Sequence, residues 1–410
     1  MTTPAAPQAA AHTDLEARAR ARLMNTYTRQ PLAIASGHGA WVTDAEGREL
    51  IDLVAGIAVN VLGHCHPAVQ SALSAQAAAL IHTSNLYYTS PQLELAELLV
   101  DSAFPSRVFF CNSGAEANEA AIKLARKWGK RHRDGAHVIV CTQGSFHGRT
   151  LGALAATSNA RYRAPFEPLP SGFVHVPYND LDAMRAAIDA ATCAVMLEPV
   201  EGESGVHPLD AGMLRELRRI CDERDVLLIV DEVQTGMGRT GRWWAHQHDA
   251  IAPDIMTIAK GLGGGVPIGA VLAAPRADVF EPGDHGATFG GSPLACAVAC
   301  AVTRTIAADG LIDNAVSMGD YLAESISALR SRGAPVETVR GRGLMLGVAL
   351  SADVAPRVGL AALQRGLIVN AVGARTLRLV PPLTINRGEV DEAVQRLAAA
   401  FDDVAAQAGA

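Results

Sequence analysis

An α/β fold with a mostly parallel central sheet, helices on both of its faces and a smaller α+β domain built from both termini is what the sequence predicts. Two observations carry that prediction. From about residue 107, short continuously apolar runs alternate with amphipathic stretches, the pattern of strands covered on both faces and linked by helices. The two ends break this pattern and instead combine hairpin-like alternation, long helical periodicity and isolated strand signals.

Taken in order, residues 1 to 22 are expected to form a disordered tail. Its opening, MTTPAAPQAAAH, has neither the basic stretch nor the apolar core of a targeting segment, and the first arginine is Arg18. Residues 23 to 63 supply the N-terminal part of the small domain, with a hairpin pattern and a glycine-punctuated loop in GHGAWVTDAEGRELIDLVAGIAVNVLG, 37 to 63. The large domain is expected over 64 to 305. Its strands are RVFFCN (107 to 112), HVIVCT (137 to 142), AVMLEP (194 to 199), VLLIVDE (226 to 232), DIMTIAK (254 to 260) and IGAVLA (268 to 273). A helix at 213 to 223 repeats Leu214, Leu217, Ile220 and Cys221 at helical spacing. Residues 306 to 410 complete the small domain: a long helix over 303 to 332, then strand signals at 339 to 350 and 376 to 384 around a helix at 356 to 366.

The bulk numbers narrow the function. A chain of 410 residues that is 49% hydrophobic has ample material for a large core. Its net charge of -7 argues against nucleic acid, and the one dense basic cluster, Arg126 to Arg133, reads as a solvated helix end. No run of 18 apolar residues exists, so no membrane span is expected. Seven scattered cysteines without a CxxC pair read as reduced thiols of a cytoplasmic protein.

Ligands of parallel α/β sheets bind beyond the carboxyl ends of the strands, and the residues found there form a set. Ser113 and Glu116 make a capping box that opens a helix, with Gly114 and Ala115 keeping its first turn bare, which suits either an ordinary capped helix or a phosphate cradle. QGSFHGRT exposes Phe146 and Arg149 between glycines. Asp231 and Glu232 end a strand too apolar to carry acids casually, since a buried carboxylate is costly unless paired. Lys260 ends its own apolar strand 29 residues later, so that lysine and aspartate flank one crevice. They form either a simple ion pair or the two ends of a cofactor site. The second reading places an aldehyde on the lysine, a protonated pyridine nitrogen at the aspartate, a ring under Phe146 and a phosphate at the Ser113 helix, which describes pyridoxal 5'-phosphate.

The motifs SGAEANEAAIKLAR, SFHGRT, LEPVEGESG, VDEVQTGMGRTG, IAKGLGGGVPIGA and HGATFGGSPLACA closely resemble the class III aminotransferases, pyridoxal-phosphate enzymes of fold type I, from about residue 24 to 400. The resemblance is strongest to the branch of arginine biosynthesis that acts on acetylornithine. It implies that Lys260 carries the cofactor and shuttles protons, that Asp231 faces the pyridine nitrogen, and that Phe146 covers the ring. It further implies cofactor contacts from Ser113, Gly114, Ala115, Val233, Gln234 and Thr288, the last reaching across from a partner subunit in a homodimer with shared active sites. Arg149, Glu203, Ala287 and Arg378 are the implied substrate residues, with Glu203 pairing with Arg378 when no carboxylate is there. No metal is implied.

The activity so implied is transfer of the δ-amino group of N2-acetyl-L-ornithine to 2-oxoglutarate, giving N-acetyl-L-glutamate 5-semialdehyde and L-glutamate. Succinylornithine, N-succinyl-diaminopimelate, ornithine and 4-aminobutyrate aminotransferases, and an aminomutase, remain alternatives. Two positions depart from the pattern: Ala287 stands where a serine is common, and Ile57 stands where ornithine enzymes often carry tyrosine, which favours an acylated amine. HCHP, 64 to 67, is expected to be a structural turn, and GLGGGVPIG has no helix after it for a dinucleotide. His246 and His248 are expected to be packing or surface residues.

Overall fold

The computed structural model describes residues 12 to 409. Its largest sheet has seven strands in the order Arg107–Cys111, Gly269–Ala273, Ile255–Ile258, Leu227–Asp231, Thr192–Leu197, Val138–Thr142 and Phe173–Val176. The last five run parallel, and only Gly269–Ala273 is antiparallel to both of its neighbours. Six strands therefore end on the same side, where the apolar runs of the sequence stop and its polar residues begin.

Two-sided burial explains why those runs lack alternation. Leu227 and Ile229 pack with Ile139, Cys141, Ala194 and Met196 against the helix Gly114–His132. Leu228 and Val230 point the other way, into Val140, Val195, Leu197 and the helix Met213–Glu223. Every second residue thus serves one face, and both faces are apolar.

A second sheet joins the ends of the chain: Ile34–His38, Trp41–Asp44 and Glu49–Asp52 are extended by Leu367–Ile368, which pairs parallel with Glu49–Asp52. A third contains Val336–Arg342, Met345–Leu350, Thr376–Leu379 and Asn370–Val372. Between Asp52 and the main sheet lies an unusual turn. Ala55, Gly56, Ile57 and Ala58 have φ of 48°, 67°, 64° and 61°, a left-handed turn closed by Ala58 N–H to Val54 O and Val59 N–H to Ala55 O. For residues with a Cβ this costs about 1–2 kcal/mol each, so the turn persists only because its surroundings hold it.

Several expectations are corrected. The tail expected over 1 to 22 falls outside the described residues as far as residue 11, but His12–Arg22 is a helix, supported by exposed pairs Asp14–Arg18 and Glu16–Arg20 one turn apart. The helix expected over 303 to 332 is two, Pro293–Ala308 and Leu311–Ala328, because Gly310 adopts φ 62° between them. The strand ending in Lys260 stops at Ile258, and Lys260 opens a 3₁₀ turn, Lys260–Gly263, with φ 39°. The helix expected between parallel strands is missing between Leu227–Asp231 and Ile255–Ile258; the connection, 232 to 254, is a long loop with one 3₁₀ turn, Ala245–Asp249. Phe173–Val176 is a strand that the apolar-run criterion misses.

Candidate active site

Beyond the shared strand ends lies a cavity of about 390 Å³, walled by residues from six segments of the chain, among them Ser113, Gly114, Ala115, Phe146, Arg149, Asp231, Val233, Gln234 and Lys260. Nine residues expected from the sequence thus meet in one place. Each arrives there by a local rule. Ser113 is the N-cap of Gly114–His132, its Oγ accepting the Glu116 N–H at 3.2 Å, while Glu116 reaches back to the Asn112 N–H. The first-turn N–H groups of Gly114 and Ala115, which a helix cannot satisfy internally, border the cavity. Gly148 (φ 141°) lets the following loop fold against that turn, since a Cβ there would lie 2.8 Å from Ala115 Cβ.

Asp231 is buried and does not pair with Lys260. Its Oδ2 lies 2.7 Å from His147 Nδ1 and accepts from Asn118 Nδ2 at 2.8 Å, and its Oδ1 accepts the Val233 N–H at 3.0 Å. The partners of this buried aspartate are therefore His147, from the loop after Val138–Thr142, and Asn118, from the helix Gly114–His132. His147 Nε2 and Asn118 Oδ1 have no partner among the described residues although both are buried beside the cavity. Glu232 answers a separate need, accepting from the His246 N–H, His246 Nδ1 and Thr235 Oγ1.

Lys260 makes no ion pair among the described residues and borders the cavity. Burial lowers its pKa below that of a free lysine; Arg378 adds to the effect, while Glu203, Glu198 and Asp231 oppose it. Arg378, fully buried in Thr376–Leu379, donates to Glu203 Oε1 at 2.5 Å, to Asn370 Oδ1 at 2.8 Å and to Gln234 Oε1 at 3.4 Å. Gln234 thereby joins this pair to the cavity wall. Burial raises the Glu203 carboxyl, but Arg378, Lys260 and Arg149 together outweigh it, and the net shift is downward.

Arg149 is exposed at the rim, its guanidinium 3.7 Å from the Tyr162 ring centroid and 5.3 Å from that of Phe146. Phe146 is fixed by its N–H, which donates to Glu198 Oε1 at 2.8 Å. Glu198 and Glu201 are buried with only neutral donors, Thr142 and Ser204 hydroxyls and the Phe146 and Gly202 N–H groups. Burial pushes Glu198 up to about 8 and Glu201 to about 7. Thr288 is exposed and Ala287 half-buried, and neither borders this cavity; the Ala287 carbonyl accepts from Asn85 Nδ2 at 3.1 Å.

Sequence reasoning missed His147, Asn118, Glu198, Tyr162 and Asn370. Two carried a signal: Glu198 ends an apolar strand as Asp231 does, and His147 sits between Phe146 and Arg149 in the singled-out loop. The other three become neighbours of the site only through the fold.

Comparison with known proteins agrees with this geometry. The family model for aminotransferase class III matches residues 23 to 401. Acetylornithine aminotransferase from Caldanaerobacter subterraneus subsp. tengcongensis is 48% identical over 388 residues, 93% of this chain and 96% of the relative. The crystal structure of N-acetylornithine aminotransferase from Stenotrophomonas maltophilia is similar with a TM-score of 0.82 at 42% identity, covering 93% of this chain and 98% of that one. Ornithine aminotransferase from Toxoplasma gondii, with PLP at partial occupancy in its active site, is similar with a TM-score of 0.93 at 34% identity, covering 98% and 96%. With a match that spans nearly the whole chain and relatives this similar along their full length, the chain belongs to the class III aminotransferase family.

Proposed function

We propose that this chain is a pyridoxal 5'-phosphate-dependent aminotransferase of arginine biosynthesis that passes the δ-amino group of N2-acetyl-L-ornithine to 2-oxoglutarate, giving N-acetyl-L-glutamate 5-semialdehyde and L-glutamate. The observation that carries it is a lysine amine of lowered pKa in a cavity that is also lined by an aspartate fixed by a histidine and an asparagine. Similarity to acetylornithine aminotransferases at about half identity supports the substrate.

The residues present fit the cofactor. Free N–H groups at the Gly114–Ala115 turn suit its phosphate. Phe146 offers an aromatic face, and Asp231 an anion whose position is set on both oxygens. When bound, the cofactor supplies the electron sink that weakens the C–H bond beside the substrate nitrogen. Asp231 would hold a proton at the ring nitrogen, and Ser113, Val233 and Gln234 would orient the group. Lys260 Nζ would hold the cofactor at its aldehyde carbon and would serve as the base for the proton on the carbon bearing the substrate amine; burial, by lowering its pKa, favours the neutral amine that this role needs.

One pocket must accept a neutral acylated end and then a second carboxylate. Arg378 binds the proximal carboxylate of 2-oxoglutarate and Arg149 the distal one. With acetylornithine bound, Glu203 neutralises Arg378; the downward shift of its carboxyl keeps it ionised for that task. Ala287, where a hydroxyl is common, has no side-chain hydrogen bond to give a substrate.

The second subunit enters through Thr288. It lies outside its own cavity, beside Phe289, which is 64% exposed, and near the exposed run Leu86, Tyr87 and Tyr88. A cluster of exposed large apolar residues is the mark of an interface, and we assign it to a homodimer in which each subunit's Thr288 serves the other's site. Six of the seven cysteines are buried free thiols, which suits the cytoplasm. Likeness to ornithine aminotransferase favours free ornithine as the competing substrate. Relative kcat/KM for N-acetylornithine and ornithine tests the choice: the acylated amine is expected to be preferred by at least about tenfold.

A further inference from the structure

The HCHP turn has no part in the chemistry above, yet its first histidine touches the most strained segment of the chain. His64 Nε2 lies 2.8 Å from Asp52 Oδ2. The other oxygen of Asp52 accepts the N–H groups of Val54 and Ala55 at 2.8 and 2.9 Å, the residues that open the left-handed turn Ala55–Ala58. His64 is itself fixed: its backbone exchanges two hydrogen bonds with Gly39, and Gly37 passes so close that a Cβ there would come within 2.9 Å of His64 Cβ.

The far side of the turn meets the reactive lysine. Val59 forms part of the cavity wall. Val61 Cγ1 lies 2.6 Å from where a Cβ on Gly261 would stand, directly after Lys260, and Asn60 Oδ1 lies 3.0 Å from the same point on Gly265. Segment 59 to 61 therefore backs the loop that follows Lys260, at Gly261 and again at Gly265. A turn with three non-glycine residues at positive φ does not hold itself.

We infer that Asp52 and His64 are positioning residues, a brace that clamps the left-handed turn so that Val59 presents its apolar side chain to the carbon chain of the amine substrate. This rests on the site assigned above. The brace acts on the cavity through Val59, whereas the Arg378 side chain, although the Val380 N–H just beyond it donates to Leu53 O, is held by Glu203, Asn370 and Gln234; the brace therefore governs capture of the acylated amine more than of 2-oxoglutarate.

The test compares His64→Ala and His64→Gln holoenzymes with the unsubstituted one. His64→Ala is expected to speed amide exchange in residues 53 to 61 by at least about tenfold and to raise KM for N-acetylornithine by about tenfold, with kcat and the KM for 2-oxoglutarate within about threefold. His64→Gln, which keeps a donor for Asp52, is expected to restore both. Unchanged exchange would overturn the brace, and faster exchange with an unchanged KM would overturn its role in positioning. Should His64→Ala not fold, Asp52→Asn, which keeps an acceptor for the two N–H groups, carries the same test. Failure of the unsubstituted enzyme to use N-acetylornithine would instead overturn the substrate, and the brace would be read with whichever amine donor is turned over.

Discussion

Asp231 illustrates how far single residues could be read. An acid closing the run LLIVD had to find a cation, and the sequence pointed to one. The obvious partner, Lys260, is not the one it meets; hydrogen bonds from the His147 ring and the Asn118 amide satisfy the carboxylate and leave the lysine free for chemistry. Nine of the expected residues line one cavity because strand ends are recognisable wherever apolar runs stop. Asn118, Tyr162 and Asn370 were hidden because each lies in a helix, turn or short strand with nothing local to distinguish it. Two predictions belong to this scale. Replacing Glu203 by alanine frees Arg378 for a carboxylate, so the kcat/KM of glutamate as amino donor should rise relative to that of N-acetylornithine; an unchanged ratio would remove Glu203 from the switch. Glu198 and Glu201 bind a proton more tightly when folded than when unfolded. Their contribution to stability is therefore complete below about pH 4.5 and is lost as pH rises through about 7 and 8. Melting temperature should fall across that window, and Glu198→Gln should flatten the fall; an identical slope in the variant would mean that Glu198 is ionised throughout.

Elements were legible to the degree that burial was two-sided. The strands at 138 to 142, 192 to 197 and 227 to 231 show every residue but one buried, and their apolar runs announced them. Phe173–Val176, at the sheet edge, is buried at a single residue and carries a histidine, so it left no such run. The break at Gly310 lay inside unbroken helical periodicity, where a glycine is tolerated and its φ is set by packing. The left-handed turn was invisible for the same reason, since AGIA has ordinary local preferences. The helix that borders the cavity offers a direct check on its cap. Ser113→Ala removes the acceptor of the Glu116 N–H and should cost about 1 kcal/mol, read as a lower denaturant midpoint. An unchanged midpoint would mean that the cap adds nothing beyond the Glu116 side chain.

At the scale of the molecule, the sheet gathers the site at one edge of its strands, while both chain ends contribute to one smaller sheet and Thr288 waits on the surface. Sedimentation of the enzyme should give a species of two 42.8 kDa chains. Tyr88→Asp, at a residue 94% exposed in one chain, should dissociate it and reduce turnover by at least about tenfold; a fully active monomer would contradict the shared site. The proposed reaction turns on an amino group that is left on the enzyme by one substrate and removed by the next. The most direct measurement is therefore the visible spectrum of the holoenzyme, mixed with N-acetylornithine alone and then with 2-oxoglutarate. Loss of the resting cofactor band on the first addition and its return on the second is the predicted result. A band indifferent to N-acetylornithine but bleached by free ornithine or 4-aminobutyrate would contradict the proposed substrate.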